Sequence, residues 1–417
     1  MTGPTLAAAW QRHLESVRWF GGKGAGARVV ALEALPAWTP ANVLPEVRSE
    51  IATLTYPSGR TECYHLLVSR HPAGSAPDGV VLGTDADGRV VVDAATDAAG
   101  LAAFVAATHP VAPDVPVRVF GGEQSNTTVV LGGELFKLFR KVEPGPNLDA
   151  EVLSALGGGT VPQLRGRLTA DWPAGTRTDL GMVIERVPDA EDGWELACAR
   201  CVAGVAFTAE AAALGRALRD VHERMASAFG VGKRSGDEMA DTMAARLRAA
   251  VADAPELAAH APALHRAFGA LRGRTLDVQR VHGDFHLGQT LSSPRGWTII
   301  DFEGEPAKTA AERRASDTVW RDVAGMLRSF DYVRSAHGDP SGPSATGWAR
   351  DARAAFVGGY CEPTEVASDV LAAYEVDKAV YEVLYELRNR PTWVPIPMRA
   401  IQEASDAATG AHDGRER

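Results

Sequence analysis

Apolar and polar positions alternate in short runs through the first part of the chain and recur at helical spacing through the last. Leu6 to Val17 carries the spacing of a short helix. After it, Val29-Val30-Ala31-Leu32, Cys63-Tyr64-His65-Leu66-Leu67-Val68 and Val90-Val91-Val92 are strand-length apolar runs, cut by turn-rich stretches such as His71 to Gly79. A second set begins near Pro116, with a strand at Val117–Phe120, a small-residue loop at Gly121–Thr128 and a strand at Val129-Val130-Leu131. Gly132-Gly133 turns the chain into a third strand, Leu135–Phe139. A helix is expected over Leu148–Leu156, and Leu180–Pro188 reads as a last strand running into a connector. The pattern then turns helical. Leu214, Leu218, Val221 and Met225 form one buried stripe, and Ala367–Arg388 makes a helix that stops ahead of Pro391. On that helix Asp377, Tyr381, Tyr385 and Arg388 share a face, with Glu382 and Glu386 on the neighbouring one. Three segments follow from these changes of period: 1–110, small and mostly β; 111–188, β-rich; and 189–417, mostly helical.

At 417 residues the chain is long enough for two or three cores. Its formal charge of −10 argues against a nucleic-acid partner, since no basic field draws in phosphate backbones. No stretch reaches the roughly 18 uninterrupted apolar residues of a membrane span, and Met1–Trp10 has no signal-peptide pattern. The four cysteines offer half a zinc site at Cys198-Ala-Arg-Cys201 with no second pair to complete it. A cytoplasmic protein with reduced thiols is expected. Two other near-motifs also fail: Gly21-Gly22-Lys23 lacks the spacing of a Walker loop, and Asp85-Ala86-Asp87-Gly88 brings its glycine too early for an EF-hand.

The chemistry concentrates in Val281-His282-Gly283-Asp284-Phe285-His286-Leu287-Gly288-Gln289 and, shortly after, Ile299-Ile300-Asp301-Phe302-Glu303. An acid in a polar loop, an amide a short way on and a second acid ending an apolar run are what phosphoryl transfer requires. Asp284 can accept the proton of an attacking hydroxyl, while Gln289 and Asp301 can offer oxygens to Mg²⁺. The spacing is a variant of the kinase catalytic loop and its metal-binding acid, with Gln289 where most relatives carry Asn. Upstream, Lys137 lies on a strand built for burial, so its ammonium needs a fixed partner, and Glu151 on the following helix is the expected one. Ser125, in a loop suited to closing over phosphates through its N–H groups, and the backbone from Glu185 to Val187, suited to adenine, complete the expected nucleotide site. No A-P-E-like anchor follows Asp301, which disfavours a protein substrate.

These segments resemble the bacterial maltokinases and the related glucosamine kinases, which share the aminoglycoside-phosphotransferase fold. The likeness rests on Trp19–Gly24, Lys137–Leu148, His282–Gln289, Asp301–Pro306, Arg321–Tyr332 and Asp377–Ile401. It implies an α+β, bilobal, protein-kinase-like fold with an N-terminal mostly β cap domain, using ATP and Mg²⁺ to phosphorylate a sugar hydroxyl. By position, Asp284 is then the base, Gln289, Asp301 and Glu303 are metal ligands, and Lys137 with Glu151 is the phosphate clamp.

The run Glu312–Asp322 departs from the maltokinase pattern: a Ser-Pro-Leu element is missing and Asp317 and Trp320 are new. A carboxylate suits a cationic amino sugar and an indole can cover a sugar face, so glucosamine, phosphorylated on its 6-hydroxyl, is the favoured acceptor. His282, Asp317, Trp320, Arg321, Tyr381, Tyr385 and Glu386 are the candidate sugar residues. Maltose, giving maltose 1-phosphate, is the alternative, and an aminoglycoside comes third. A silent nucleotide- or sugar-binding module is disfavoured because Lys137, Asp284, Gln289 and Asp301 are all present.

Overall fold

A computed structural model describes residues 6–121, 125–305 and 308–413, with side chains to residue 407. The chain divides into two compact units, one of residues 1–154 and 162–188, the other of 155–161 and 189–417. The expected 1–110 and 111–188 segments thus share one unit.

That first unit contains α1 (Leu6–Leu14), β1 (Arg28–Ala37), β2 (Glu46–Thr55), β3 (Thr61–His71), β4 (Val81–Thr84), β5 (Val90–Asp93) and α2 (Ala98–Thr108). Then come β6 (Val117–Val119), β7 (Thr127–Leu131), β8 (Glu134–Leu138), β9 (Lys141–Val142), α3 (Leu148–Leu156), β10 (Leu164–Asp171) and β11 (Arg177–Glu185). Two antiparallel sheets result. The first runs β1-β2-β3-β5-β4 and the second β10-β11-β8-β7-β6, with β9 pairing onto β3 of the first. Trp10, Leu14 and Phe20 pack with Leu54, Leu66 and Val68 to close the core of the first sheet. β2 was not anticipated from the pattern. It carries charges at Glu46, Arg48 and Glu50 among its apolar positions, and tertiary pairing outweighs that weak local signal.

Where the two sheets meet, Arg140 is fully buried. Its backbone N–H donates to Asn126 Oδ1 at 3.0 Å, its Nε to Thr127 Oγ1 at 2.8 Å and its Nη1 to the His65 carbonyl at 3.2 Å, while the guanidinium lies 4.6 Å from the Trp19 ring centroid. These contacts offset much of the cost of burying a cation, although Nη2 has no hydrogen-bond partner among the described residues. Arg140 therefore fixes the end of the 121–128 loop. Within that loop Gly122, Glu123 and Gln124 lie outside the described residues.

The second unit holds β12 (Glu191–Asp192), α4 (Gly193–Val202), α5 (Thr208–Phe229), β13 (Val231–Ser235), α6 (Gly236–Asp253), α7 (Ala261–Gly269), β14 (Thr275–Gln279), β15 (Thr290–Ser293) and β16 (Gly296–Ile299). The helices α8 (Ala310–Arg314), α9 (Trp320–Arg334), α10 (Pro343–Tyr360), α11 (Ser368–Asn389) and α12 (Pro395–Asp413) complete it. The stripe Leu214, Leu218, Val221 and Met225 is buried along α5, as its spacing requires. Among the described residues no helix is long and apolar enough to cross a membrane.

Candidate active site

In the second unit, residues 280–289 form a loop between β14 and β15, held from below by α9 and α5. Asp322, in the first turn of α9, is fully buried. Its Oδ2 accepts the His282 backbone N–H at 2.7 Å and its Oδ1 accepts that of Gly283 at 2.8 Å. His222 of α5 adds a ring contact to Oδ2 at 2.9 Å and reaches the Tyr360 hydroxyl through its other nitrogen, also at 2.9 Å. Burial alone would raise the carboxyl of Asp322, but His222 and the loop N–H groups hold it below its ordinary value. A second anchor runs from Ser329 Oγ to the Leu287 N–H at 3.1 Å. Gly325 lets α9 approach the loop: a Cβ there would sit 2.5 Å from the Phe285 carbonyl oxygen.

Asp284 stands on this clamped loop, and its partner is one that sequence reasoning missed. Lys378 Nζ of α11 lies 3.1 Å from Asp284 Oδ1 and 3.2 Å from Glu305 Oε1, and Lys308 reaches Glu305 Oε2 at 2.7 Å. Although burial would lower it, the carboxylates of Asp284 and Glu305 hold the Lys378 ammonium well above the usual lysine range. Burial likewise acts against ionised Glu305, yet the charges of Lys378, Arg321 and Lys308 keep its carboxyl far below the usual carboxylate range. The signal for Lys378 was present in the sequence, since it falls on one helical face with Tyr381 and Tyr385. His286 lies two residues beyond Asp284, and burial pushes its imidazole down from its ordinary value.

Asp301 follows β16 with φ +67°, a left-handed conformation rarely adopted outside glycine and asparagine. A carboxylate oxygen of Asp301 and one of Glu303 lie within 4.8 Å of each other, close enough to bind one ion together. Gln289 Nε2 donates to Asp301 Oδ2 at 3.2 Å, so its amide must turn over to offer an oxygen instead, a cheap rotation about a terminal torsion. Two carboxylates and an amide form a hard, oxygen-only donor set of the kind Mg²⁺ takes.

In the first unit Lys137, on β8, places Nζ 2.9 Å from Asp149 Oδ2. Asp149, in the first turn of α3, is a carboxylate on this lysine that the sequence reading missed. The expected Glu151 sits two residues further along the same helix, half-buried. Ser125 is exposed at the end of the 121–128 loop. Glu185 closes β11, its N–H donating to the Gln163 carbonyl at 2.9 Å, and Val187 is buried just beyond.

Several of the expected sugar residues have other work. His282 is buried, and its Nε2 lies 2.9 Å from the Ile300 carbonyl, so that nitrogen must carry the proton. It braces the loop rather than facing a sugar. Asp317 gives Oδ2 to Arg321 Nε at 3.1 Å and Oδ1 to the Thr318 N–H and the Tyr374 hydroxyl, so both its oxygens already have partners within the protein. Trp320 packs edge-on to Tyr360 with centroids 6.1 Å apart. Glu386 is buried and held by Arg390 at 2.7 Å and by the Tyr332 hydroxyl at 3.0 Å, which locks the end of α11. Tyr381 and Tyr385 remain well placed. Their rings stack with centroids 6.3 Å apart, and Lys378 Nζ lies 4.8 Å from the Tyr381 centroid. Arg321 lines the same small recess as Lys378, Tyr381, Glu305 and Gly283.

Residues 182–356 match the model of the phosphotransferase enzyme family, and residues 13–97 match the maltokinase N-terminal cap domain. A curated glucosamine kinase from Streptacidiphilus jiangxiensis is 30% identical over 66% of this chain and 70% of its own length. One from Mycolicibacterium smegmatis is 27% identical over 69% and 79%. Among solved structures, a glucosamine kinase in complex with glucosamine, ADP and inorganic phosphate superposes with a TM-score of 0.59 at 22% identity, covering 94% of this chain and 98% of that one. Another glucosamine kinase crystal form gives 0.64 at 22% identity, covering 97% and 99%. The α+β, bilobal kinase-like fold with an N-terminal cap is therefore the fold of this protein, and the chain belongs to the maltokinase-like and glucosamine kinase family of phosphotransferases.

Proposed function

We propose that the chain transfers the γ-phosphoryl group of ATP to a sugar hydroxyl, and that a neutral disaccharide of the maltose type, phosphorylated on its anomeric hydroxyl, is the acceptor. The clamped loop supports phosphoryl transfer: Asp322 fixes the two peptide groups that precede Asp284, so the base is held before substrate arrives. Asp284 accepts the hydroxyl proton as the loose transition state forms, and Lys378 fixes the carboxylate that does so. Lys137, oriented by Asp149, neutralises charge on the α- and β-phosphates. Asp301, Glu303 and Gln289 would hold Mg²⁺, which would supply further neutralisation of phosphate charge.

The surroundings of Asp284 support a neutral acceptor. Lys378, shared between Asp284 and Glu305, already supplies the cation beside the base, so an acceptor needs no charge of its own there. The carboxylate expected to receive an amino group, Asp317, is spent on Arg321 and Tyr374. Tyr381 and Tyr385 stack on each other about one helical turn apart, with Lys378 over the Tyr381 ring and Arg390 over the Tyr385 ring, and the exposed edge of Tyr385 extends the aromatic surface available to a second sugar ring. The match of residues 13–97 to a maltokinase cap is in keeping with this. Glucosamine, phosphorylated on its 6-hydroxyl, is the second reading, favoured by the names of the curated relatives.

A panel of maltose, glucose, glucosamine and an aminoglycoside, scored by kcat/KM with the product identified by ³¹P and ¹³C NMR, separates these readings. Efficient formation of maltose 1-phosphate supports the first. Efficient glucosamine 6-phosphate with idle maltose establishes the second, and ATP turnover without any phosphorylated sugar removes both.

A further inference from the structure

The second unit holds a cavity of about 860 Å³ that plays no part in the site described above. It opens among α9, α10, α11 and α12, on the face of α11 that carries Glu375, Val376 and Ala379 rather than Lys378 and Tyr381. Its size falls within the roughly 300–1,000 Å³ typical of small-molecule pockets. Small residues on three of these helices, Ala349, Ala354 and Gly358 on α10, Ala372 on α11 and Ala404 on α12, leave the space, and the walls are mainly apolar.

The charges around it do not cancel evenly. Asp331 is shared between Arg328, at 2.9 Å, and Arg353, at 3.2 Å, and Glu375 is held by Arg353 at 2.6 Å. Arg328 also holds Glu382 at 2.8 Å. Two guanidiniums there face three carboxylates, and burial raises Glu375 and Glu382 above the ordinary carboxylate range, so no guanidinium of this group is left over. Arg334 is different: it is only 9% exposed, yet among the described residues its Nε has no hydrogen-bond partner, and its one ion pair there is a long 3.4 Å contact to Glu403, whose side chain is 59% exposed. A guanidinium that is buried and under-satisfied costs free energy unless an anion completes its shell. Arg350 adds a second, exposed cation at the mouth, engaged with its sequence neighbour Asp351.

We propose that this cavity is a second ligand site, taking an organic anion whose carboxylate or phosphate head meets Arg334 and whose apolar body fills the space between α10 and α11. The charge sets the head and the wall composition sets the body. A bare inorganic anion would leave the apolar wall wet, and an uncharged amphiphile would leave Arg334 unsatisfied. The site does not depend on the identity of the phosphoryl acceptor.

The test uses the full chain with saturating ADP and 8-anilinonaphthalene-1-sulfonate as the fluorescent probe, an aromatic body with an anionic head. Saturable binding of one probe per chain is expected, weakened at least about tenfold by Arg334→Gln, since a charge-assisted contact is worth roughly 1.5–3 kcal/mol. Ala372→Phe, which fills the space, is expected to abolish it. Decanoate or decyl phosphate should displace the probe, and whichever does so at lower concentration identifies the head group; decanol and inorganic phosphate should not. Thermal melts check that each variant folds, and Ala354→Phe serves in place of Ala372→Phe if that variant does not. Probe binding unchanged in Arg334→Gln and in the folded filling variant, or decanol competing as well as decanoate, overturns the proposal.

Discussion

Single side chains carry most of the catalytic argument, and two of them separate chemistry from positioning. Asp284→Asn is expected to retain ADP and ATP binding while kcat falls by about 10³-fold or more, because the amide cannot take the hydroxyl proton. Near-normal turnover would remove Asp284 as the base. Asp322 touches no reacting atom in this scheme. Asp322→Asn replaces one of two acceptor oxygens with a donor that faces N–H groups, and both folding and loop geometry should suffer. The expected loss is about 3 kcal/mol of stability with a kcat reduction of about ten- to a hundredfold and little change in the KM for ATP. A variant with unchanged kcat would show that the loop holds its shape without this clamp.

Elements matter where backbones approach closely or a helix face is shared. Gly325 packs α9 directly onto the catalytic loop, so Gly325→Ala must shift either the helix or the Phe285 carbonyl. A loss of about 1–3 kcal/mol in a denaturant melt is expected, together with reduced kcat. On α11, Tyr385 is 44% exposed and stacks beyond Tyr381. Tyr385→Ala should raise the KM for a disaccharide by about tenfold, the order of one aromatic contact, and leave the KM for ATP unchanged. An equal effect on both constants would place Tyr385 outside the acceptor site. Glu386, on the same helix, illustrates the limit of reading a face from spacing: Arg390 and Tyr332 claim it, and Tyr332 comes from α9, far away in sequence.

At the scale of the molecule, pH dependence follows from imidazoles kept neutral by folding. His65 is fully buried, its Nδ1 against the Phe139 carbonyl at 3.1 Å and its Nε2 against Ser49 Oγ at 2.7 Å. Burial, with the nearby Arg140 charge, pushes it down from 6.5 to about 3. Unfolded, His65 binds a proton below pH 6.5, whereas folded it does not until about pH 3. Its contribution is therefore complete above that upper value and is lost as pH falls through the window, by at most about 1.4 kcal/mol per pH unit. His286, depressed by burial, acts in the same direction. Thermal melts from pH 8 to pH 4 should show Tm falling once pH drops below about 6.5. A Tm flat down to pH 4 would contradict the buried neutral state.

The sequence by itself determined the local periods and the order of chemical groups. The alternating runs and the Gly132-Gly133 turn mark the strands around Lys137, the α5 stripe marks a buried helix, and the His282–Gln289 spacing marks the candidate loop that carries Asp284, because each depends on neighbours a few residues apart. Partners far apart in the chain were decided only by the tertiary structure. Lys378 meets Asp284 across 94 positions, Asp322 clamps His282 across 40, and Arg140 reaches His65 across 75. Asp317 and Glu386 present the same carboxylate in sequence whether a substrate or an arginine meets it, and burial beside Arg321 and Arg390 settled which. Ion-pair choice depends on distance and desolvation, which exist only once the helices have packed.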